Sequence, residues 1–151
     1  MSPDEPALSI GFVTQGWAPD VGGIETHAAD LARGLRARGH RVSVLCLDGR
    51  PGREDHATSD EVAEGVPVRR LVQRYAGQRS IVDMVRDPRA DTALSAWLDQ
   101  GRFDVLHVHH LTGFGVAGVL ATGAPRRPAV VMTLHDYRLL CPRGQMLRAD
   151  G

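Results

Sequence analysis

The chain has 151 residues, and its 18 basic residues, all of them arginine, balance 18 aspartates and glutamates. This length suits one domain with a sizeable core, and the zero formal net charge gives no support for a nucleic-acid partner. Two cysteines, Cys46 and Cys141, are too few for a disulfide framework, and neither a signal peptide nor an apolar run of transmembrane length is visible, which indicates a cytoplasmic protein.

The first third of the chain has the pattern of a strand, a helix and a second strand. An apolar segment from Leu8 to Val13 predicts the first strand. A helix is predicted next, with Gly39 as the left-handed residue that follows its end. Its apolar positions recur with a helical period at Ile24, Ala28, Leu31, Ala32 and Leu35. Because Val42 to Leu47 predicts a second strand, we expect a right-handed βαβ unit.

A glycine pair, Gly22 and Gly23, directly precedes this helix. Amide groups at a helix N-terminus point outward and the dipole favours negative charge, so the pair predicts a phosphate-binding turn. The spacing does not match G-x-G-x-x-G, and a merely flexible helix entrance is the alternative. Glu25 either complements the dipole or contacts a ligand, and His27, near the apolar stripe, is interpreted as a packed histidine.

The middle of the chain is predicted to be a loop, a strand and a helix. Polar residues from 48 to 65 predict an exposed loop, and residues 66 to 72 a third strand. Pro67 cannot donate to a ladder, which places that strand at an edge or delays its start. Asp87 and Pro88 predict the N-cap and first residue of a helix that closes at Gly101.

The last third of the chain continues this alternation. Residues 105 to 108 and 129 to 134 predict two further strands, and residues 114 to 121 predict a short helix. Strands that alternate with helices indicate an α/β, Rossmann-like, doubly wound parallel sheet with helices on both faces. If the first and fourth predicted strands are neighbours, the strand order reverses between them, and ligands bind over that point.

Polar residues end three of the predicted strands at this carboxyl edge. They are Thr14-Gln15, His109-His110 and His135-Asp136. We therefore expect these residues and the glycine pair to line one solvent-open crevice, in which His109 and His135 contact a polar ligand.

Other interpretations of single residues remain open at this point. A zinc site made by His107, His109, His110, His135 and Asp136 is the minority interpretation, because His107 falls inside a strand that a helix should cover. Asp48 follows the second strand, where a ribose contact is possible, but a loop aspartate is favoured. Cys141 is interpreted as a loop cysteine, and Arg138 and Arg143 as either anion contacts or solvated side chains.

Three blocks of sequence together resemble one enzyme family. In chain order, the blocks are W-A-P-D-V-G-G-I-E-T-H-A-A-D-L-A-R-G-L-R-A-R-G-H-R-V-S-V-L, F-D-V-L-H-V-H-H and V-V-M-T-L-H-D-Y-R-L-L-C-P-R-G-Q. Together they are similar to the N-terminal domain of glycosyltransferase family 4. The resemblance covers almost the whole chain and is weakest between residues 48 and 86. It implies the N-terminal half of a GT-B architecture and a retaining transfer of sugar from a nucleoside diphosphate donor.

The resemblance also implies roles for particular residues. Gly22 and Gly23 match the glycine loop beside the donor diphosphate and the acceptor. His135 matches the histidine that contacts the donor sugar and supports transfer, which makes it the candidate catalytic residue. His109 matches a histidine near the acceptor side. Asp136, which follows His135, is a further candidate binding residue beside Gly22, Gly23 and His109. No metal or other cofactor is expected, and the acceptor is a glycan, a lipid-linked molecule or a small molecule.

The resemblance leaves the domain organisation and the reaction open to rival hypotheses. Residues 1–151 correspond to one acceptor-side domain, interpreted as truncated, so the missing C-terminal nucleotide-sugar-binding domain becomes an expected partner and the piece alone is expected to be inactive. A GT-B-fold sugar-nucleotide epimerase and a non-catalytic binding module are the alternatives. Six arginines between Val66 and Arg89 leave peripheral association with the inner face of a membrane open, although the acidic loop before them offsets their charge.

Overall fold

The computed structural model describes residues 6–74, 87–111, 113–114, 127–137 and 141. Two helices and six strands lie in this part of the chain. In chain order they are β1 (Ser9–Thr14), α1 (Gly23–Ala37), β2 (Arg41–Asp48), β3 (Thr58–Ala63), β4 (Val66–Val72), α2 (Pro88–Gly101), β5 (Val105–Val108) and β6 (Ala129–Met132). Within these residues, no helix combines the length and the apolar character that crossing a membrane requires.

The strands form a six-stranded sheet in the order β3-β4-β2-β1-β5-β6. Five of them run parallel, and β3 pairs antiparallel with β4. β1 lies between β2 and β5, in a register that sets Phe12 beside Val44 on one side and His107 on the other. The strand order therefore reverses at β1, which confirms the predicted topology and puts the switch point at the carboxyl ends of β1 and β5.

The two helices cover opposite faces of the sheet, as the α/β prediction requires. Beneath α2, one buried cluster joins Leu94, Trp97 and Leu98 to Leu45 and Leu106 of the strands. Beneath α1, a second cluster joins Ala28 and Ala32 to alternate strand residues, namely Ile10, Phe12, Val42, Val44, Cys46 and Val68. Because successive side chains of a strand point to opposite faces of the sheet, β1, β2 and β4 each contribute residues to both clusters.

The ends of both helices follow the local chemistry of the sequence. Gly39 has a φ of +86°, the left-handed backbone conformation expected after α1. The Asp87 carboxylate accepts hydrogen bonds from the backbone N–H groups of Arg89 and Ala90, and Pro88 is the first residue of α2, as predicted.

Close packing explains why β1 has a glycine at position 11. A Cβ on Gly11 would lie 2.9 Å from Trp97 Cη2 and 2.8 Å from Phe103 Cδ2, which is too close for an unchanged neighbour.

The loop predicted for residues 48 to 65 was wrong, and of the two alternatives for the strand that contains Pro67, the edge position was wrong. The supposed loop contains β3, which a tight turn at Glu64 and Gly65, both with positive φ, connects to β4. β3 is polar and largely exposed, so it lacks the apolar alternation that would reveal a strand. β4 is not an edge strand, since β3 covers it, and it tolerates Pro67 because its pairing with β2 begins only at Val68.

Asp48, the last residue of β2, anchors the loop that follows. Its side chain is almost fully buried, and Oδ1 accepts hydrogen bonds from the backbone N–H and Nε of Arg50 at 3.0 and 2.8 Å. Oδ2 accepts from Arg50 Nη2 at 2.7 Å. These bonds lower the pKa of Asp48 from 3.8 to about 2. The structure therefore places Asp48 at the buried end of β2, where its carboxylate binds Arg50, and not in the exposed loop that was predicted.

The substitution Asp48→Asn tests this anchor through its dependence on pH. At neutral pH we expect it to lower the free energy of unfolding by about 1–2 kcal/mol, because a charged acceptor is lost. The native carboxylate has a pKa below that of the unfolded chain, so its contribution is complete above pH 3.8 and disappears as the pH falls to about 2. Urea unfolding of both proteins across this range measures the difference, and a difference independent of pH would contradict the account.

Candidate functional site

The carboxyl edge of β1, β5 and β6 carries a layer of histidines on the α1 face of the sheet. His107 and His109 lie on that face, with ring centroids 5.2 and 4.8 Å from that of Phe12. Their own rings stack at 4.2 Å, as alternation along a strand predicts. His107 Nε2 lies 2.7 Å from the Thr133 hydroxyl oxygen just beyond β6. The strand ends therefore bring imidazoles of β5 against the segment that follows β6.

His135 lies directly against His109. Nδ1 of His109 is 3.2 Å from Nε2 of His135, and the two rings stack with centroids 5.5 Å apart. His109 is only 1% exposed, and its backbone N–H donates to Val13 O of β1 at 2.8 Å. His109 thus lies beneath His135 as a fixed support, and the expectation that its side chain lines an open crevice is wrong because the half-buried His135 lies against it.

His27 belongs to this group, although the sequence suggested a packed core residue. It lies in the second turn of α1 and is exposed, with its ring centroid 5.7 Å from that of His109 and 5.1 Å from that of His135. The helical period places His27 beside the apolar stripe but does not show whether its side chain is covered. His27, His109 and His135 are called the histidine triad below.

The surroundings of His107, His109 and His135 favour the neutral form of these three side chains. Burial, reinforced by neighbouring imidazoles, lowers the pKa of His109 to about 3 and lowers the pKa values of His107 and His135. Asp136 and Glu25 oppose the shift at His135. A neutral His109 with its hydrogen on Nδ1 donates to His135 Nε2. This tautomer leaves the buried Nε2 of His109, which has no partner among the described residues, as a bare acceptor rather than an unpaired N–H.

Asp136 lies close to His110, the last residue of the H-V-H-H segment. One carboxylate oxygen, Oδ2, lies 3.5 Å from Nε2 of His110, which is 8% exposed. The pair bridges the end of β5 to the end of β6. The five residues of the zinc interpretation from the sequence therefore do not converge on one point, because His107 contacts Thr133 and His110 contacts Asp136.

The glycine pair lies at the start of α1, where the two residues differ in surroundings. Gly22 is the N-cap with extended backbone, and the Glu25 carboxylate folds back against both Gly22 and Gly16. Glu25 therefore supplies from within the chain the negative charge that a helix N-terminus favours. Gly23 faces open space, since a Cβ there would meet no atom within 4 Å. A ligand can approach the backbone at Gly23 more readily than at Gly22.

A buried arginine holds the loop that leads to these glycines. Arg70 of β4 is 1% exposed, and its Nε donates to Glu61 Oε1 at 2.6 Å. The other guanidinium nitrogens donate to the backbone carbonyls of Trp17, at 3.5 Å, and Ala18. Sequence reasoning missed this role because it grouped Arg70 with the surface arginines of a basic segment. Two of those arginines, Arg69 and Arg70, are neutralised by acidic side chains on β3.

The remaining candidates lie at the border of the described residues or beyond it. Cys141 is half-buried and has no disulfide, and its backbone N–H donates to Tyr137 O at 2.7 Å. Arg138, Arg143 and the predicted helix at 114–121, apart from residue 114, lie outside the described residues. The buried Cys46 is inert at neutral pH, because burial raises the pKa of its thiol to about 12.

Comparison with known proteins adds one family and several relatives. A family model of the glycosyl transferase 4-like domain matches residues 22–150. GDP-mannose:cellobiosyl-diphosphopolyprenol alpha-mannosyltransferase of Komagataeibacter xylinus is 34% identical over 114 residues, which cover 73% of this chain and 25% of that protein. Phosphatidyl-myo-inositol mannosyltransferase of Mycolicibacterium smegmatis is 33% identical over 132 residues, which cover 85% of this chain and 31% of that protein.

A solved structure with the same architecture is the catalytic domain of starch synthase IV from Arabidopsis thaliana, bound to ADP and acarbose. It superimposes with a TM-score of 0.62 at 18% sequence identity, and the match covers 88% of this chain and 35% of that chain. At this identity the likeness shows the fold alone. The chain spans only about a quarter to a third of the length of the two mannosyltransferases it matches.

Proposed function

This chain belongs to the glycosyl transferase 4-like family, and from that premise we propose that it is the acceptor-side domain of a retaining glycosyltransferase. The resemblance stated from the sequence motifs is thereby confirmed at the level of the family. In the proposed reaction, a sugar moves from a nucleoside diphosphate donor to an acceptor hydroxyl with retention of configuration. A second domain would supply the remaining donor contacts.

The observation that carries this proposal is the position of His135. It lies at the carboxyl edge of the sheet, half-buried, and it is supported from below by His109 at 3.2 Å. The ring of His135 also lies next to that of His27, which is a residue of the second turn of α1, the helix that begins at the glycine pair. A polar side chain fixed in this way can form a hydrogen bond to a donor sugar that approaches over the switch point.

The chemistry we propose for these residues is positioning and charge stabilisation. Backbone N–H groups at the start of α1 would contact the departing diphosphate, with Gly23 giving the closest access. His135 would hold the sugar as the glycosidic bond breaks, in the neutral form that its lowered pKa ensures. We propose that the transfer step needs no metal ion or other cofactor.

The relatives suggest which substrates to test first. Both named proteins are mannosyltransferases, and the name of one specifies GDP-mannose as donor and a diphosphopolyprenol-linked acceptor. The name of the other specifies phosphatidyl-myo-inositol. We propose a mannose donor and a lipid-linked acceptor as the first pair to assay. Because a lipid-linked acceptor is held in a membrane, this proposal also implies that the enzyme binds peripherally to the membrane surface.

The substitution Gly23→Val tests the proposed approach of substrate to the glycine pair. Because a side chain at Gly23 meets open space, we expect the melting temperature of the 151-residue chain to stay within a few degrees of wild type. In a full-length enzyme that contains this domain, we expect KM to rise and kcat to fall, since the branched side chain fills the space that substrate needs. Steady-state kinetics and thermal unfolding measure the two effects.

A matched control exists on the same helix. Gly34 is exposed, and a Cβ there also meets no atom within 4 Å, but it lies about 16 Å along α1 from Gly23. Gly34→Val should leave kcat and KM unchanged. If Gly23→Val behaves like Gly34→Val, the glycine pair is only an entrance to the helix.

A further inference from the structure

The histidine triad has a geometry that the proposed sugar transfer does not use. One ring nitrogen from each of His27, His109 and His135 lies within 4.8 Å of the other two. The pair formed by His109 Nδ1 and His135 Nε2 is already 3.2 Å apart. Two nitrogens bound to one tetrahedral zinc ion at about 2.0–2.1 Å are separated by about 3.3–3.4 Å. His109 Nδ1 and His135 Nε2 are therefore already at about the separation that two ligands of one tetrahedral zinc ion have.

The third ligand can close the remaining distance. His109 is fixed by burial and by the stack with His107, whereas His27 is exposed on α1. Rotation about the two side-chain torsions of His27 moves its ring by more than the 1–2 Å required, with no change in backbone.

We propose that His27, His109 and His135 form a three-imidazole binding site for a divalent cation of the zinc, nickel and copper class. Neutral imidazole is a preferred ligand of these ions, and three such ligands leave a fourth position open to water. This inference concerns cation binding and does not depend on the proposed sugar transfer.

The affinity of the site is limited by its surroundings. Coordination through Nδ1 of His109 places the ring hydrogen on the buried Nε2, which then lacks an acceptor among the described residues. We therefore expect micromolar rather than tighter binding. Since His135 is the side chain that we propose for the donor sugar, a bound cation would compete with the donor and inhibit transfer.

Titration of the 151-residue chain with zinc chloride at neutral pH tests the site without any sugar substrate. Isothermal calorimetry should show one zinc ion bound per chain. His27→Ala removes a ligand from an exposed helix position and introduces the residue with the highest helix propensity, so the variant should fold and bind zinc at least about tenfold more weakly. His135→Gln should weaken binding in the same way.

A distant histidine provides the matched control. His40 lies at the amino-terminal edge of the sheet, where Nδ1 accepts a hydrogen bond from the backbone N–H of Leu8. His40→Asn can preserve that bond and should not change zinc affinity. Failure of the wild-type chain to bind zinc, or equal weakening in His27→Ala and His40→Asn, would overturn the proposed site. Neither result bears on the transferase, which is assayed without zinc.

Discussion

Replacement of His135 by alanine in a full-length enzyme that contains this domain should lower kcat by about a hundredfold, with a smaller effect on KM for the donor. The hydrogen bond from His135 to the sugar is expected to strengthen as the glycosidic bond breaks, so its loss affects the transition state more than the bound ground state. A well-aimed polar contact of this kind contributes about 2–4 kcal/mol. Steady-state kinetics with varied donor and saturating acceptor measure both constants.

The control for this prediction is a histidine at the opposite edge of the sheet. His40→Asn should leave both constants unchanged, because the bonds described for His40 join it to Leu8 and Leu35 at the amino-terminal edge of the sheet and not to His135. A near wild-type kcat for His135→Ala would remove His135 from the mechanism and leave it as a side chain that ends a strand. An equal loss in both variants would point to a general loss of stability.

Arg70→Met should lower the free energy of unfolding by about 3 kcal/mol. The guanidinium of Arg70 is buried and donates to Glu61 and to two carbonyl groups of the loop before α1. Methionine preserves much of the volume but leaves the half-buried Glu61 without its cation and Ala18 O without the bond from Arg70, while Trp17 O keeps only the bond from Asp20 N–H at 3.2 Å. Removing one partner of a largely buried charge pair is costly. Urea unfolding of the 151-residue chain measures the change.

The neighbouring arginine gives a matched comparison. Arg69 pairs with Asp60 through Nε at 2.6 Å and Nη2 at 2.8 Å, but the Asp60 side chain is 66% exposed. Solvent screens this pair, so Arg69→Met should cost less than about 1 kcal/mol. Equal destabilisation by the two substitutions would contradict the role of Arg70 as the internal support of the loop.

Much of the architecture could be predicted because local patterns and tertiary structure agree. The apolar period of α1, the N-cap at Asp87 and the buried strands all give signals that depend on nearby residues alone. The predicted switch point depended on the condition that the first and fourth predicted strands are neighbours, and the pairing of β1 with β5 fulfils that condition. β3 escaped prediction because it is held by its pairing with β4 and not by a buried face of its own.

The composition of the site was harder to predict than its place. Sequence periodicity shows which residues end strands, but not which of them meet across the sheet edge. His27 was interpreted as a packed histidine because the helical period places it near the apolar stripe. Its contacts with His109 and His135 join residues that are distant in sequence. The burial of His109 and the loop support by Arg70 likewise depend on contacts between residues distant in sequence.

The central claim, that this domain serves in transfer of sugar to an acceptor, is tested most directly by donor consumption with and without acceptor. A full-length enzyme that contains this domain is incubated with GDP-mannose labelled in the sugar, in the presence and absence of a polyprenol-diphosphate-linked or phosphatidylinositol acceptor. The account predicts that efficient consumption requires acceptor and that the label appears in the acceptor product. Full-rate consumption without acceptor, with the label in an epimerised nucleotide sugar, would contradict it.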